Sequence, residues 1–145
     1  MMNISNIKVT VCTLAGVLGS FFSKLLGGWT DDMVTLIIFM GIDFLMGLLV
    51  AGVFHKSNKS ASGNLDSHIG WKGLCKKGVT LLFVLIAHRL DISLGTDYIR
   101  TATIIGFIVN ETISIIENAG LMGLPLPEAI TKAIDILKHK GDGEE

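Results

Sequence analysis

The chain has 145 residues, of which 50% are hydrophobic and 17% are charged, and its mean hydropathy is +0.60. This composition excludes a disordered chain and a nucleic-acid-binding tail, and the formal net charge of −1 says little about partners. Apolar residues instead form runs that approach the ~20 residues needed to cross a bilayer. We therefore predict an all-α integral membrane protein with four transmembrane helices, or with three and a peripheral N-terminal helix.

The first two predicted spans lie at residues 9–28 and 33–54. Lys24 is the only charge of the first span and is close enough to its end to reach the membrane surface. An alternative for this segment is a cleaved signal peptide, since Lys8 precedes the run and small residues close it. The second span carries a single charge, Asp43, near its centre, and is typical of a membrane-spanning helix.

The third and fourth predicted spans, residues 78–95 and 101–121, are less apolar. The third is uncharged only as far as Ala87, so we expect it to be short, tilted or buried among its neighbours. The fourth is interrupted by Glu111 and Glu117. Its arrangement of polar residues is more informative than its hydropathy.

Between the second and third spans, residues 55–77 are predicted to form a basic cytoplasmic loop. Its topology-setting residues are Lys56, Lys59, Lys72, Lys76 and Lys77. Positively charged loops stay in the cytoplasm, and the alternation of spans then places the C-terminus there as well. We favour this orientation signal over a specific site for lipid headgroups.

Residues 125–145 are predicted to form a short amphipathic cytoplasmic helix and a tail. Pro125 and Pro127 end the preceding helix and favour the first turn of a new one. Apolar residues then recur at helical spacing, with charged residues on the opposite face. The pattern leaves open whether this helix lies on the membrane or pairs with a partner helix.

One face of the fourth span is polar. With about 100° per residue, this face contains Arg100, Thr103, Asn110, Glu111, Ser114, Glu117 and Asn118. A carboxylate left unpaired at membrane depth costs roughly 2.5 to 3.5 kcal/mol or more, so the face needs water or protein. It either lies in the bundle interior, with Glu111 and Glu117 protonated or paired with Arg100 or Asn groups, or lines or gates an aqueous opening in an oligomer. We favour the opening, because so many polar residues share the face.

Two faces with small residues predict helix–helix contacts. Asp43, Gly47 and Ala51 follow one another at intervals of four residues on the second span, and Gly16 and Gly19 lie on the first. Small residues let helices approach closely, within a subunit or between subunits. Asp43 also needs a compensating partner at membrane depth, and the candidates are Arg89 and Arg100.

Catalytic motifs are missing from the sequence. It contains no glycine-rich phosphate loop, no HExxH, no GxSxG and no spaced set of cysteines and histidines. Cys12 and Cys75 have neither the number nor the spacing of a metal site or a disulfide framework. We predict that the protein is not an enzyme and binds no metal or cofactor.

Five stretches resemble the toxin secretion/phage lysis holin family. They are Gly28–Trp29, Leu36–Gly47 (LIIFMGIDFLMG), Gly70–Gly78 (GWKGLCKKG), Asn110–Asn118 (NETISIIEN) and Gly123–Pro127 (GLPLP). The resemblance extends from about residue 28 to residue 137. The most specific part of the resemblance is the NETISIIEN string together with the GLPLP stretch that follows it.

This resemblance implies a small protein of the bacterial cytoplasmic membrane that accumulates, self-associates and opens holes at a set time. An endolysin, or in some relatives a large toxin, would leave through the holes as cargo without being bound, and an antiholin would be a further partner. Two alternatives remain open. One is a small ion- or proton-coupled channel or transporter in which Asp43 and Glu111 titrate. The other is an antiholin or membrane partner protein that acts through residues 129–137.

Overall fold

A computed structural model describes residues 3–64 and 66–141 and is helical throughout its regular elements. Its five helices are α1 (Ile4–Leu25), α2 (Asp31–Gly52), α3 (Ser67–Leu94), α4 (Ile99–Leu121) and α5 (Glu128–Gly141). The all-α prediction is confirmed. Residues 142–145, the end of the predicted tail, lie outside the described residues.

Local sequence sets several of the helix ends. The Asp66 side chain accepts a hydrogen bond of 2.8 Å from the backbone N–H of His68 and caps the start of α3. Gly95 ends the same helix at φ 69°, a left-handed conformation that costs glycine little. The Pro127 carbonyl accepts a bond from the N–H of Ile130 in the first turn of α5. The predicted start of the C-terminal helix after the two prolines thus agrees with the structure.

Helices α2, α3 and α4 form a three-helix unit. The most extensive packing joins α2 to α4, followed by that of α3 on α4, whereas α2 and α3 contact each other only slightly. The start of α4 lies beside the start of α2, because Arg100 hydrogen-bonds to Gly28 and Thr30. Since α3 connects the two, α2 and α4 run parallel and α3 runs antiparallel to both.

An apolar layer forms the core of this unit. It consists of Met33, Leu36, Met40, Val84 and Ile104, each no more than 6% exposed. These residues come from the first half of α2, the second half of α3 and the start of α4. The core therefore lies toward the end of the unit where residues 26–30 and 95–98 turn, which we call the turn end. The opposite end, next to residues 53–66, is the loop end.

Helix α1 differs from the other three long helices. The structure describes every residue of α1 and buries none of them. Its outward surface includes Val9, Leu14, Val17, Leu18 and Phe21, each more than half exposed. An apolar helix with this surface is suited to lipid or to another protein chain.

Three helices in the described part of the chain, α1, α2 and α4, are long and apolar enough to cross a membrane. The predicted third span, 78–95, belongs to α3, which is not one of them because lysines at one end and Arg89 and Asp91 at the other make it more polar. The predicted loop 55–77 is also shorter than expected. Residues 67–77 are helical, because Asp66 caps a helix that begins eleven residues before the predicted span.

Candidate functional site

A charged cluster lies where the three helices meet, just past the apolar layer on its loop-end side. The Lys77 ammonium of α3 donates to Asp43 Oδ2 of α2 at 2.8 Å and to Glu111 Oε2 of α4 at 2.5 Å. The Asn118 amide of α4 donates to Asp43 Oδ1 at 3.0 Å. We call these four residues the ionic cluster.

The ionic cluster is largely withdrawn from the surface. The side chains of Lys77, Asp43 and Glu111 are 13%, 11% and 8% exposed. One ammonium neutralises one carboxylate fully, so two carboxylates on a single lysine leave the cluster acidic in sum. In a poorly solvated place, such a contact is strongly destabilised when one partner is removed.

A cavity of about 500 Å³ opens beside the ionic cluster on its loop-end side. Its walls combine small residues with charged ones, and include Asp43, Gly47, Ala51, Lys59, Asp66, Gly70, Gly73, Lys76, Lys77, Asn110, Glu111, Ser114 and Glu117. A cavity of this size with many polar groups has room for water. Water in the cavity thus reaches Lys77 from the loop end, and the apolar layer prevents it from going further.

The predicted polar face of the fourth span is the part of α4 that meets this cavity. Asn110, Glu111, Ser114 and Glu117 line the cavity, and Asn118 is bound to Asp43. Arg100 is buried at the other end of the same helix. In a single subunit Arg100, Glu111 and Asn118 of this face are buried, Ser114 and Glu117 are partly buried, and Asn110 is exposed.

The predicted pairing partners of Asp43 and Glu111 are wrong. Arg100 lies at the turn end, where it donates to the carbonyls of Leu26 and Gly28, and Arg89 is exposed on α3. The actual partner is Lys77, which the sequence assigned to a basic loop. Its helical spacing to the buried residues Thr80, Val84, Ala87 and Asp91 is the signal that would have placed it on an inward face.

The predicted contact faces have different surroundings. Asp43 and Ala51 are buried within the subunit and Gly47 lines the cavity, so that face lies toward the interior of the three-helix unit. A Cβ atom added at Gly16, Gly19 or Gly47 would meet no atom of the described subunit within 4 Å. Gly16 and Gly19, however, belong to a helix with no buried residue. The predicted face of α1 is thus free in the single subunit.

The lysines predicted to set topology are divided between two settings. Lys56 and Lys59 belong to the segment between α2 and α3, whereas Lys72, Lys76 and Lys77 lie within α3. Lys59 and Lys76 line the mouth of the cavity. Lys77 is set apart from the other four by its contacts with two carboxylates.

A second polar cluster closes the turn end and was not anticipated. Asp91 of α3 accepts hydrogen bonds from the backbone N–H groups of Ile99 and Arg100, at 3.0 and 2.8 Å, and from the Thr96 hydroxyl at 2.6 Å. It thereby binds N–H groups at the start of α4, which lack partners within the helix. We call Asp91 and Arg100 the turn-end clamp.

Within residues 3–64 and 66–141, no group of three or more His, Cys, Asp or Glu side chains is arranged to hold a metal ion. Cys12 and Cys75 are both exposed free thiols. The charged groups of the site hold helices to one another.

These features define a small multi-pass helical membrane protein with charged groups enclosed among its helices. The chain belongs to the Bacteriophage holin family, which it matches over residues 20–139. Proteins of this family are not enzymes, and neither is this one. The match confirms the family resemblance that the sequence predicted.

Individual relatives agree with this assignment. The chain is 28% identical to a probable holin of Bacillus phage phi105 over 102 residues, which cover 70% of each chain. It is 40% identical over 130 residues to an uncharacterized protein of Halalkalibacterium halodurans, covering 86% of this chain and 90% of the relative. An uncharacterized protein of Clostridium perfringens is 36% identical over 138 residues, covering 92% and 96%. No solved structure shows a significant match.

Proposed function

We propose that this protein self-associates in the bacterial cytoplasmic membrane and opens holes through which an endolysin, or a large toxin, reaches the outside of the cell. Membership of the holin family and the similarity to a probable phage holin support this proposal. The observation that carries it is the polar face of α4. That face is charged and lies on a helix apolar enough to span a membrane, and its Glu111 is bound inside the subunit by Lys77.

A charged face with this location suits a protein with two arrangements. In the single subunit, the Glu111 carboxylate is bound by Lys77, so it has a partner without an opening in the membrane. When subunits assemble around an opening, the same face lines it, because water then replaces the helix contacts. Asn110, Glu111, Ser114 and Glu117 are the residues we assign to this role.

Helix α1 is the element we assign to self-association. It is apolar and has no buried residue in the subunit, and Gly16 and Gly19 give it a surface on which another helix packs closely. The face of Asp43, Gly47 and Ala51 is already used within the subunit. A contact between subunits through α1 leaves the three-helix unit intact.

For the orientation, we propose that the loop end faces the cytoplasm. Lys56, Lys59, Lys72 and Lys76 are all near that end and favour retention on the cytoplasmic side. The C-terminal helix α5 follows the loop end of α4 and lies on the same side. An antiholin that binds α5 is a further partner consistent with this arrangement.

The proposal is tested by inducible expression in a bacterium that contains a cytoplasmic endolysin and a folded reporter enzyme. We expect abrupt lysis, with release of the reporter into the medium. A variant with both Glu111→Leu and Glu117→Leu is expected to lose lysis, while Glu128→Leu, at an exposed position of α5, keeps it. Membrane fractions verify that each variant accumulates.

Unchanged timing of lysis in the doubly substituted protein would contradict the role of the α4 face. A different outcome would favour another function. If only ions leak while the reporter stays inside, the cavity beside Asp43, Lys77 and Glu111 supports an ion-conducting protein instead. If growth continues without any leak, an antiholin or membrane partner protein is the better assignment.

A further inference from the structure

The contact between α2 and α3 changes along the length of the three-helix unit. Toward the turn end, the apolar layer brings together Leu36 and Met40 of α2 with Val84 of α3. Toward the loop end, the cavity separates the two helices, with Gly47 and Ala51 on one wall and Gly70 and Gly73 on the other. The bond from Lys77 to Asp43 lies at the boundary between these regions.

Lys77 therefore fastens α3 to both neighbours on the loop-end side of the apolar layer. Its ammonium binds α2 through Asp43 and α4 through Glu111. The direct packing of α2 on α3 is slight, so few other contacts join these two helices on the loop-end side. Separating Lys77 from its two partners leaves Asp43 and Glu111 uncompensated beside the apolar layer, which loosens α3 there as well as at the loop end.

We propose that Lys77 is a latch that keeps the three-helix unit closed in each subunit, and that its release from Asp43 and Glu111 must precede the opening of a hole. The consequence for lysis rests on the proposed function, whereas the closed state of the unit does not. A contact made of charges suits a latch, because losing one charge leaves a buried partner uncompensated and strongly disfavours the closed arrangement.

The closed state is measured in membranes from cells without an endolysin, before any lysis. A cysteine is introduced by Val84→Cys, a position in the apolar layer that is 0% exposed, in a protein whose two native cysteines are replaced by serine. Reaction with N-ethylmaleimide is slow while the unit is closed. We expect Lys77→Met to speed the labelling by about tenfold or more, given the destabilisation that follows loss of one partner from a buried charge pair.

Two control variants accompany this measurement. Lys72→Met removes an exposed lysine from the same helix and should leave the labelling rate unchanged. Lys77→Arg keeps the positive charge and should leave Val84→Cys protected. If the cysteine is as well protected in Lys77→Met as in the unsubstituted protein, Lys77 is no latch.

A charge exchange provides a second test should Lys77→Met fail to accumulate in the membrane. Lys77→Asp places a third carboxylate beside Asp43 and Glu111 and should open the unit. Adding Asp43→Lys restores one ammonium between two carboxylates and should bring protection back. Labelling of the double variant as rapid as that of Lys77→Asp, or its absence from the membrane, overturns the latch.

Lysis timing then connects the latch to function. With endolysin present, Lys77→Met should lyse cells earlier than the unsubstituted protein at equal membrane content, and Lys72→Met should not. If Lys77→Met speeds labelling but does not bring lysis forward, Lys77 does keep the unit closed. Its release would then not be a step in the opening of a hole. Absence of lysis in the unsubstituted protein would instead overturn the proposed function and leave the labelling result intact.

Discussion

The Arg100 guanidinium at the start of α4 donates a hydrogen bond of 2.6 Å from Nε to the backbone carbonyl of Leu26, 74 residues earlier in the chain. Leu26 directly follows the last residue of α1 and caps its C-terminal end. Since no residue of α1 is buried, this bond fixes the helix at its C-terminal end while leaving its surface free. The same guanidinium binds the Gly28 carbonyl and the Thr30 hydroxyl, both at 3.1 Å.

Loss of Arg100 should destabilise the protein. Arg100→Ala removes donors from the carbonyls of Leu26 and Gly28, and hydrogen bonds to charged groups are worth about 1.5 to 3 kcal/mol each. We expect the free energy of unfolding in detergent to fall by at least about 2 kcal/mol. Arg89→Ala, at an exposed position, should change it by less than about 0.5 kcal/mol. Equal effects of the two substitutions would show that the hydrogen bonds of the Arg100 side chain contribute nothing to stability.

Gly27 and Gly28 offer a matched comparison of backbone strain and steric collision. Both have positive φ, 85° and 93°, so alanine at either position costs roughly 1 kcal/mol or more in conformational energy. Only at Gly27 would the added Cβ also lie 2.8 Å from Arg100 Nε and 2.8 Å from His88 Nδ1. Thermal unfolding should therefore show a lower melting temperature for Gly27→Ala than for Gly28→Ala. The reverse order would contradict the packing of the turn against α3 and α4.

Asp91 should matter more than its neighbour Asp97. Asp91→Ala leaves the N–H groups of Ile99 and Arg100 without their acceptor, at a cost of about 1 to 3 kcal/mol for each buried group left unsatisfied. Amide exchange at the start of α4 should become faster, because its first turn is no longer fixed to α3. Asp97 is exposed, and Asp97→Ala should leave the exchange unchanged. Equal protection in the two variants would rule out this role of Asp91.

Substitutions on α1 should separate association from folding. Gly16→Leu with Gly19→Leu adds side chains where the subunit has no atom within 4 Å, so the melting temperature should stay the same. Close approach of a second helix would be blocked, and fewer oligomers should be recovered when the protein is cross-linked in membranes. Gly41→Leu, at an exposed position of α2, serves as the control. Oligomers that persist in the α1 variant would place the contact between subunits on another surface.

Hydrophobic patterning predicted much of this architecture. The runs at 9–28, 33–54 and 101–121 overlap α1, α2 and α4, because a helix that satisfies its own backbone is the simplest structure for a mainly apolar stretch of this length. The polar face of α4 was also readable, since side-chain direction follows from the helical repeat alone. The start of α3 was not, because glycines and lysines in residues 67–77 resemble a loop when the capping contact of Asp66 is unknown.

The sequence by itself determined that this is an all-helical membrane protein of the holin family, and that the polar face of α4 needs partners at membrane depth. Only the tertiary structure decided which partners those are. Glu111 and Asp43 bind Lys77. Arg100, at the start of α4, lies too far from these carboxylates and binds the turn after α1 instead. The physical reason is that periodicity fixes the direction of a side chain on its own helix, whereas a charge pair also depends on the axial offset between helices. That offset is set by the packing of the apolar layer, with Leu36, Val84 and Ile104 fully buried.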